Sequence, residues 1–166
     1  MAFGRAGSVY YATGNDRGAG HFGALDLDTF TTRRLLSNLP AAHHVTFDPM
    51  TGDLFLFGGA EILQIDPDRP QEIKSRLSFG KAARFDQGTL DGEGHLFVAR
   101  VDGMIVFVDF ASTGRVGDPA NAIRVVFLDS NLDDLAPLSG PGARGGPRHG
   151  SGMAREQDER SGPPVG

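Results

Sequence analysis

The sequence predicts an all-β chain built from about three copies of one four-stranded unit. Three observations predict it. Glycine (24) and proline (10) are abundant among the 166 residues, which suits short strands and tight turns rather than long helices. A motif recurs at a spacing of about 43 residues, the range of repeat architectures. Within each copy, short apolar runs flank Gly-Gly or Asp-Gly, the strongest local signal for a β-hairpin.

Two segments define the repeat, His44 to Asp66 and Gln87 to Asp109. Asp48 and Asp91 stand equally far ahead of the closing aspartates Asp66 and Asp109. In each copy a first strand ends in an acidic turn (Asp48 to Asp53; Asp91 to Gly94). An apolar second strand follows (Leu54 to Phe57; His95 to Val98), then a hairpin at Gly58-Gly59 or Asp102-Gly103. The third strand is Ile62 to Ile65 or Met104 to Val108, and a fourth is expected near Glu72 to Phe79 and Ala122 to Leu128. An earlier copy shows a second strand at Ser8 to Ala12, a third at Phe22 to Leu27 and a fourth at Arg33 to Leu36, with no visible first strand. Gly14 to Gly20 reads as a long hairpin loop, not a phosphate loop, because no Lys-Ser/Thr follows it. The copies thus span about 8–37, 44–79 and 87–128, and Leu132 to Leu138 reads as the lone first strand of another. The expected core is Val9, Tyr11, Leu25, Leu27, Leu54, Leu56, Ile62, Ile65, Leu96, Val98, Ile105, Phe107, Val125 and Phe127.

From 139 to 166 the chain is rich in Gly, Pro and Arg and poor in apolar residues. Such a segment buries too little surface to offset the entropy of ordering it, and it is expected to be a disordered tail.

Composition excludes several classes. A net charge of −5 is the wrong sign for a nucleic-acid binder. The absence of cysteine removes disulfide frameworks, thiol catalysis and cysteine zinc sites. No run is long and apolar enough to span a bilayer, and the segment Met1 to Gly7 lacks the apolar run of a signal peptide. No Gly-x-Ser-x-Gly elbow is present.

The turn motifs Phe47-Asp-Pro-Met-Thr-Gly-Asp-Leu-Phe55 and Leu90-Asp-Gly-Glu-Gly-His-Leu-Phe-Val-Ala99, repeated with four strands per copy, resemble β-propeller blades. Their texture is similar to the NHL, gluconolactonase and streptogramin-lyase group, and the resemblance covers roughly residues 8–138. No Trp-Asp dipeptide is present, so the likeness is not to WD-repeat proteins. A second, looser likeness, at Leu132-Asp-Asp-Leu-Ala-Pro-Leu-Ser-Gly140, is to exported bacterial proteins of the PEP-CTERM type, whose sorting tail is missing here. The resemblance implies a partial propeller of about three blades. Rings close with ~4–8 blades, so the chain is expected to be a fragment of a larger propeller. The alternative is an open stack of sheets or an assembly of copies, with self-association through open blade edges.

In propellers of this group the start of each innermost strand faces the central channel. Aligning the copies places His43 with Asp86 and His44 with Gln87, and extending the alignment adds Asp133 and Asp134. The resemblance thus implies a channel mouth presenting His43, Asp86 and Asp133, an imidazole and two carboxylates able to hold a divalent cation or exchange protons. Strand-start polar residues equally cap turns and bond free backbone groups. Asp26 with Asp28, Asp48 with Asp53, and Asp129 with Asp133 and Asp134 put carboxylates close together, without the spacing of an EF-hand.

The expected function is a non-enzymatic propeller-type binding or structural segment with no cofactor of its own. The alternatives are a metal-dependent hydrolase or lyase of the gluconolactonase or streptogramin-lyase kind, and a calcium-stabilised extracellular protein.

Overall fold

A computed structural model describes residues 1–3, 8–15, 18–40, 42–80 and 83–128, together with Leu132 and Leu135. The described residues form three four-stranded antiparallel sheets and no helix. The first sheet is β1 (Ala2–Phe3), β2 (Val9–Asn15), β3 (Gly18–Leu25) and β4 (Thr32–Leu39). The second is β5 (His44–Phe47), β6 (Leu54–Gly58), β7 (Glu61–Ile65) and β8 (Ser75–Ser78). The third is β9 (Phe85–Leu90), β10 (His95–Arg100), β11 (Met104–Asp109) and β12 (Ala122–Phe127).

Every sheet is a meander, each strand pairing with the next in sequence. The first strands β1, β5 and β9 lie beside one another, while β4, β8 and β12 form the outer edges. This is the radial order of propeller blades. The middle sheet is buried on both faces. Leu54, Leu56, Leu63 and Ile65 pack toward the first sheet with Tyr10, Phe22 and Leu39. Phe55, Phe57 and Ile62 pack toward the third with Leu96, Val98, Val106, Val108 and Phe110. Burying each large side chain contributes roughly 1.5–3 kcal/mol before the entropy of ordering it.

Polar bonds also join the second and third sheets. Phe85 N–H donates to the Gly59 carbonyl at 2.7 Å, bridging β9 to the turn after β6. Gln64, fully buried, donates through Nε2 to Asp53 Oδ2 at 2.6 Å and to the Gly114 carbonyl at 2.9 Å. Lys74 Nζ lies 2.6 Å from the same Asp53 oxygen, so the buried carboxylate is paired. Gly88 lets β9 lie against this sheet, because a Cβ there would sit 2.7 Å from the Phe57 ring.

The structure departs from the expectations at several points. The first sheet does have a first strand: Ala2 and Phe3 pair with Tyr10 and Val9. Two residues are too short to carry a period. The expected loop at Gly14 to Gly20 is mostly strand, since β2 reaches Asn15 and β3 starts at Gly18, the two paired. In β11 the buried residues are Val106 and Val108, not Ile105 and Phe107. In β2, Tyr10 is the buried tyrosine and Tyr11 is half-buried. Leu27, Val125 and Phe127, expected in the core, are exposed. Leu27 sits in a turn, and β12 is an outer edge. Except for Leu132 and Leu135, the expected strand at 132–138 and the tail at 139–166 lie outside the described residues. Among the described residues no helix is long and apolar enough to cross a membrane.

Candidate functional site

The two ends of the inner strands carry different chemistry. At the start of the strands, His43 precedes β5 and Asp86 is the second residue of β9. The end of β6 holds both. His43 N–H donates to the Phe57 carbonyl at 2.8 Å, and Phe85 is bonded to Gly59 two residues on. This common anchor brings His43 Nδ1 to 4.0 Å from Asp86 Oδ1, with each side chain about a quarter exposed (25% and 23%). Two of the three residues expected at the channel mouth therefore meet. The third, Asp133, lies outside the described residues, as do Asp134 and Asp129. His44 is the first residue of β5, and its ring stacks on Phe57 at 5.9 Å.

At the other end of β9, Asp91, Gly92, Glu93 and Gly94 turn the chain into β10. Gly92 and Gly94 have φ of 76° and 91°, values an L side chain rarely adopts. The turn folds His95 back onto Asp91. The Asp91 carboxylate accepts N–H bonds from Glu93 at 2.8 Å and His95 at 3.2 Å, and its second oxygen lies 2.6 Å from His95 Nδ1. Asp109, the register partner of His95, places Oδ1 3.9 Å from Nε2. Partial burial pushes the Asp91 carboxyl up, but the bonds from the His95 ring and the two N–H groups outweigh it and hold it below the usual range. The bond to Asp91 raises the His95 pKa; burial opposes this, and the charges of Asp91, Asp109 and Glu93 add to it.

Asp91, Glu93 and His95 each bring a ligand atom within 4.8 Å of the others. A divalent cation there would displace the proton that Asp91 and His95 share. Sequence reasoning read Asp91 only as a turn residue and passed over Glu93 and His95. The alternation of acid, acid and imidazole at 91, 93 and 95 is visible in the sequence, but only the turn at Gly92 and Gly94 brings the three together.

The remaining turn aspartates are structural. Asp48 is fully buried and accepts from Met50 N–H, Thr51 N–H and the Thr51 hydroxyl at 3.2, 3.1 and 2.7 Å. Asp26, Asp66 and Asp109 each accept the N–H of the residue two positions on, at 2.9, 2.9 and 3.2 Å. These Asx turns are what the aspartate repeat encodes.

No protein-family model and no curated protein matches the chain. Solved structures do. The β-propeller domain of Cps50 (Swd1) from Myceliophteria thermophila aligns with a TM-score of 0.53 at 17% identity, over 75% of this chain and 37% of that one. YCF48 bound to D1 peptide aligns at 0.48 and 14%, over 61% and 36%. Saccharomyces cerevisiae Sqt1 aligns at 0.48 and 13%, over 79% and 37%. The chain thus spans little more than a third of the length of the structures it matches, and what it shares with the first is the propeller fold.

Proposed function

We propose that this chain is a non-enzymatic binding or structural segment of a propeller larger than its own three sheets. One observation carries the reading: both end sheets leave apolar side chains uncovered. Phe3 is 71% exposed on one end, and Phe97, Ile105 and Phe107 are half-buried on the other. In a closed propeller the neighbouring blade covers such a face. The finer kinship, with the NHL and gluconolactonase group, rests on the turn motifs alone. The test is a panel of lactones, esters and sugar acids offered to the purified chain. No turnover is expected, and turnover abolished by His43→Ala overturns the reading.

The approach of His43 to Asp86 favours a second reading, a metal-dependent hydrolase or lyase in which these two and Asp133 hold a divalent cation. Calorimetric titration with calcium, magnesium and zinc tests it. Saturable heat that disappears in Asp86→Ala is the expected result. No heat, or heat indifferent to that substitution, removes it.

A further inference from the structure

We propose that β12 is a dimerisation edge that pairs antiparallel with β12 of a second copy of this chain, centred on Val125. The strand ends its sheet, and among the described residues nothing pairs with its outer side. It is unlike the other two outer strands. β4 carries Arg33 and Arg34, and β8 carries Arg76 with Lys74 just ahead of it. Charged residues are a usual device for keeping an edge from pairing. β12 and Leu128 after it have one charge, Arg124, among large apolar side chains exposed from 42% (Ile123) to 63% (Phe127).

The backbone sets the register. Leu128 N–H donates to the Gly103 carbonyl at 2.9 Å. In an antiparallel ladder such groups alternate, so Ala122, Arg124 and Val126 turn theirs toward β11. Ile123, Val125 and Phe127 therefore turn their N–H and C=O groups outward. A second strand must bond to these three. Their side chains also share one face, opposite Val108, Val106 and Met104 of β11.

Self-pairing satisfies both conditions. With Val125 opposite Val125, Ile123 faces Phe127 on either side of the two-fold axis, and all three outward residues are bonded. Arg124 then lies opposite Val126. Sliding the partner two residues one way sets Arg124 against Arg124, a repulsion that cross-strand pairs avoid. Sliding it the other way loses one of the three bonded pairs within the strand. The contact is isologous, so it consumes the β12 edges of both copies at once and leaves no β12 edge for a third copy.

The experiment uses the full chain, which contains no cysteine. Light scattering on the eluting protein at micromolar concentration should give twice the chain mass. Val125→Lys sets two ammonium groups face to face and should weaken the dimer at least tenfold. Val125→Cys should form a disulfide-linked dimer on mild oxidation, because bonded antiparallel partners have Cα atoms about 5.5 Å apart, within disulfide reach. Arg124→Cys should not. A monomer at all concentrations, a dimer indifferent to Val125→Lys, or equal cross-linking by the two cysteine variants overturns the proposal. A dimer that ignores Val125→Lys would place the contact elsewhere, such as the Phe97 and Phe107 face. These outcomes are independent of the turnover assay, so either reading can fail alone.

Discussion

Val116 N–H donates a buried hydrogen bond of 2.9 Å to Gln64 Oε1, joining residues 52 positions apart. The same glutamine donates to Gly114 and Asp53, so one β7 side chain fixes the loop between β11 and β12. Nearby, Gly117 N–H donates to Ser75 Oγ at 2.9 Å, and Arg115 donates to the Lys74 carbonyl at 3.1 Å. Gln64→Leu keeps the volume and leaves the Val116 N–H and Gly114 carbonyl without their partner. A loss of about 2–3 kcal/mol is expected in urea unfolding, since each orphaned buried group costs about 1–3 kcal/mol. A loss under about 0.5 kcal/mol would show that the glutamine does not hold the loop.

The turn aspartates should rank by burial. Asp48 is fully buried with three donors, while Asp109 accepts one N–H bond at a more exposed turn. Asp48→Ala is expected to cost about 2 kcal/mol or more and Asp109→Ala under about 1 kcal/mol. Equal losses in thermal unfolding would contradict the ranking.

Gly88 and Phe57 should be energetically coupled. A methyl group at Gly88 collides with a phenyl ring that is fully buried. Gly88→Ala is expected to cost about 1–3 kcal/mol, as overpacking does. Phe57→Leu makes room, so the double variant should fall short of the summed single losses by about 1 kcal/mol. Strict additivity in the double-mutant cycle would place the strain elsewhere.

The His95 pair gives a pH dependence of known sign. The folded pKa of His95 is raised above its ordinary 6.5, so its contribution is full below that value and fades as pH rises through the folded one. Asp91 is held below its ordinary 3.8, so its contribution is present above that value and is lost as pH falls through the folded one. The melting-temperature gap between the native chain and His95→Gln should be wider at pH 5.5 than at pH 9. A gap that stays constant or widens toward pH 9 contradicts the assignment.

The blade unit was legible because its turns are chemically specific. Gly58-Gly59 and Asp102-Gly103 mark hairpins, and the aspartates mark Asx turns that the structure forms at Asp48, Asp66, Asp91 and Asp109. The facing of β11 was not legible. Met104-Ile-Val-Phe-Val108 is apolar throughout, so no alternation distinguishes Val106 and Val108 from their neighbours. Val125 and Phe127 misled for a related reason: an apolar strand reads as core whether or not a neighbour exists to cover it. Strand alignment paired His43 with Asp86, and the two side chains lie 4.0 Å apart. The Asp91 and His95 pair depends on a turn with two left-handed glycines, which spacing alone does not reveal.

The middle sheet's two faces are covered in different ways, and this bears on how the chain comes apart. Among the described residues an apolar cluster joins it to the first sheet, whereas against the third the apolar cluster is reinforced by Gln64, Ser75, Arg115 and the Phe85 bridge. Repeats are held by nearest-neighbour interfaces, and a weaker interface opens at lower free energy. The second and third sheets should therefore open as one cooperative foldon, with the first detaching ahead of them. In hydrogen exchange, the amides of β2 and β3 would lose protection before those of β6 and β10.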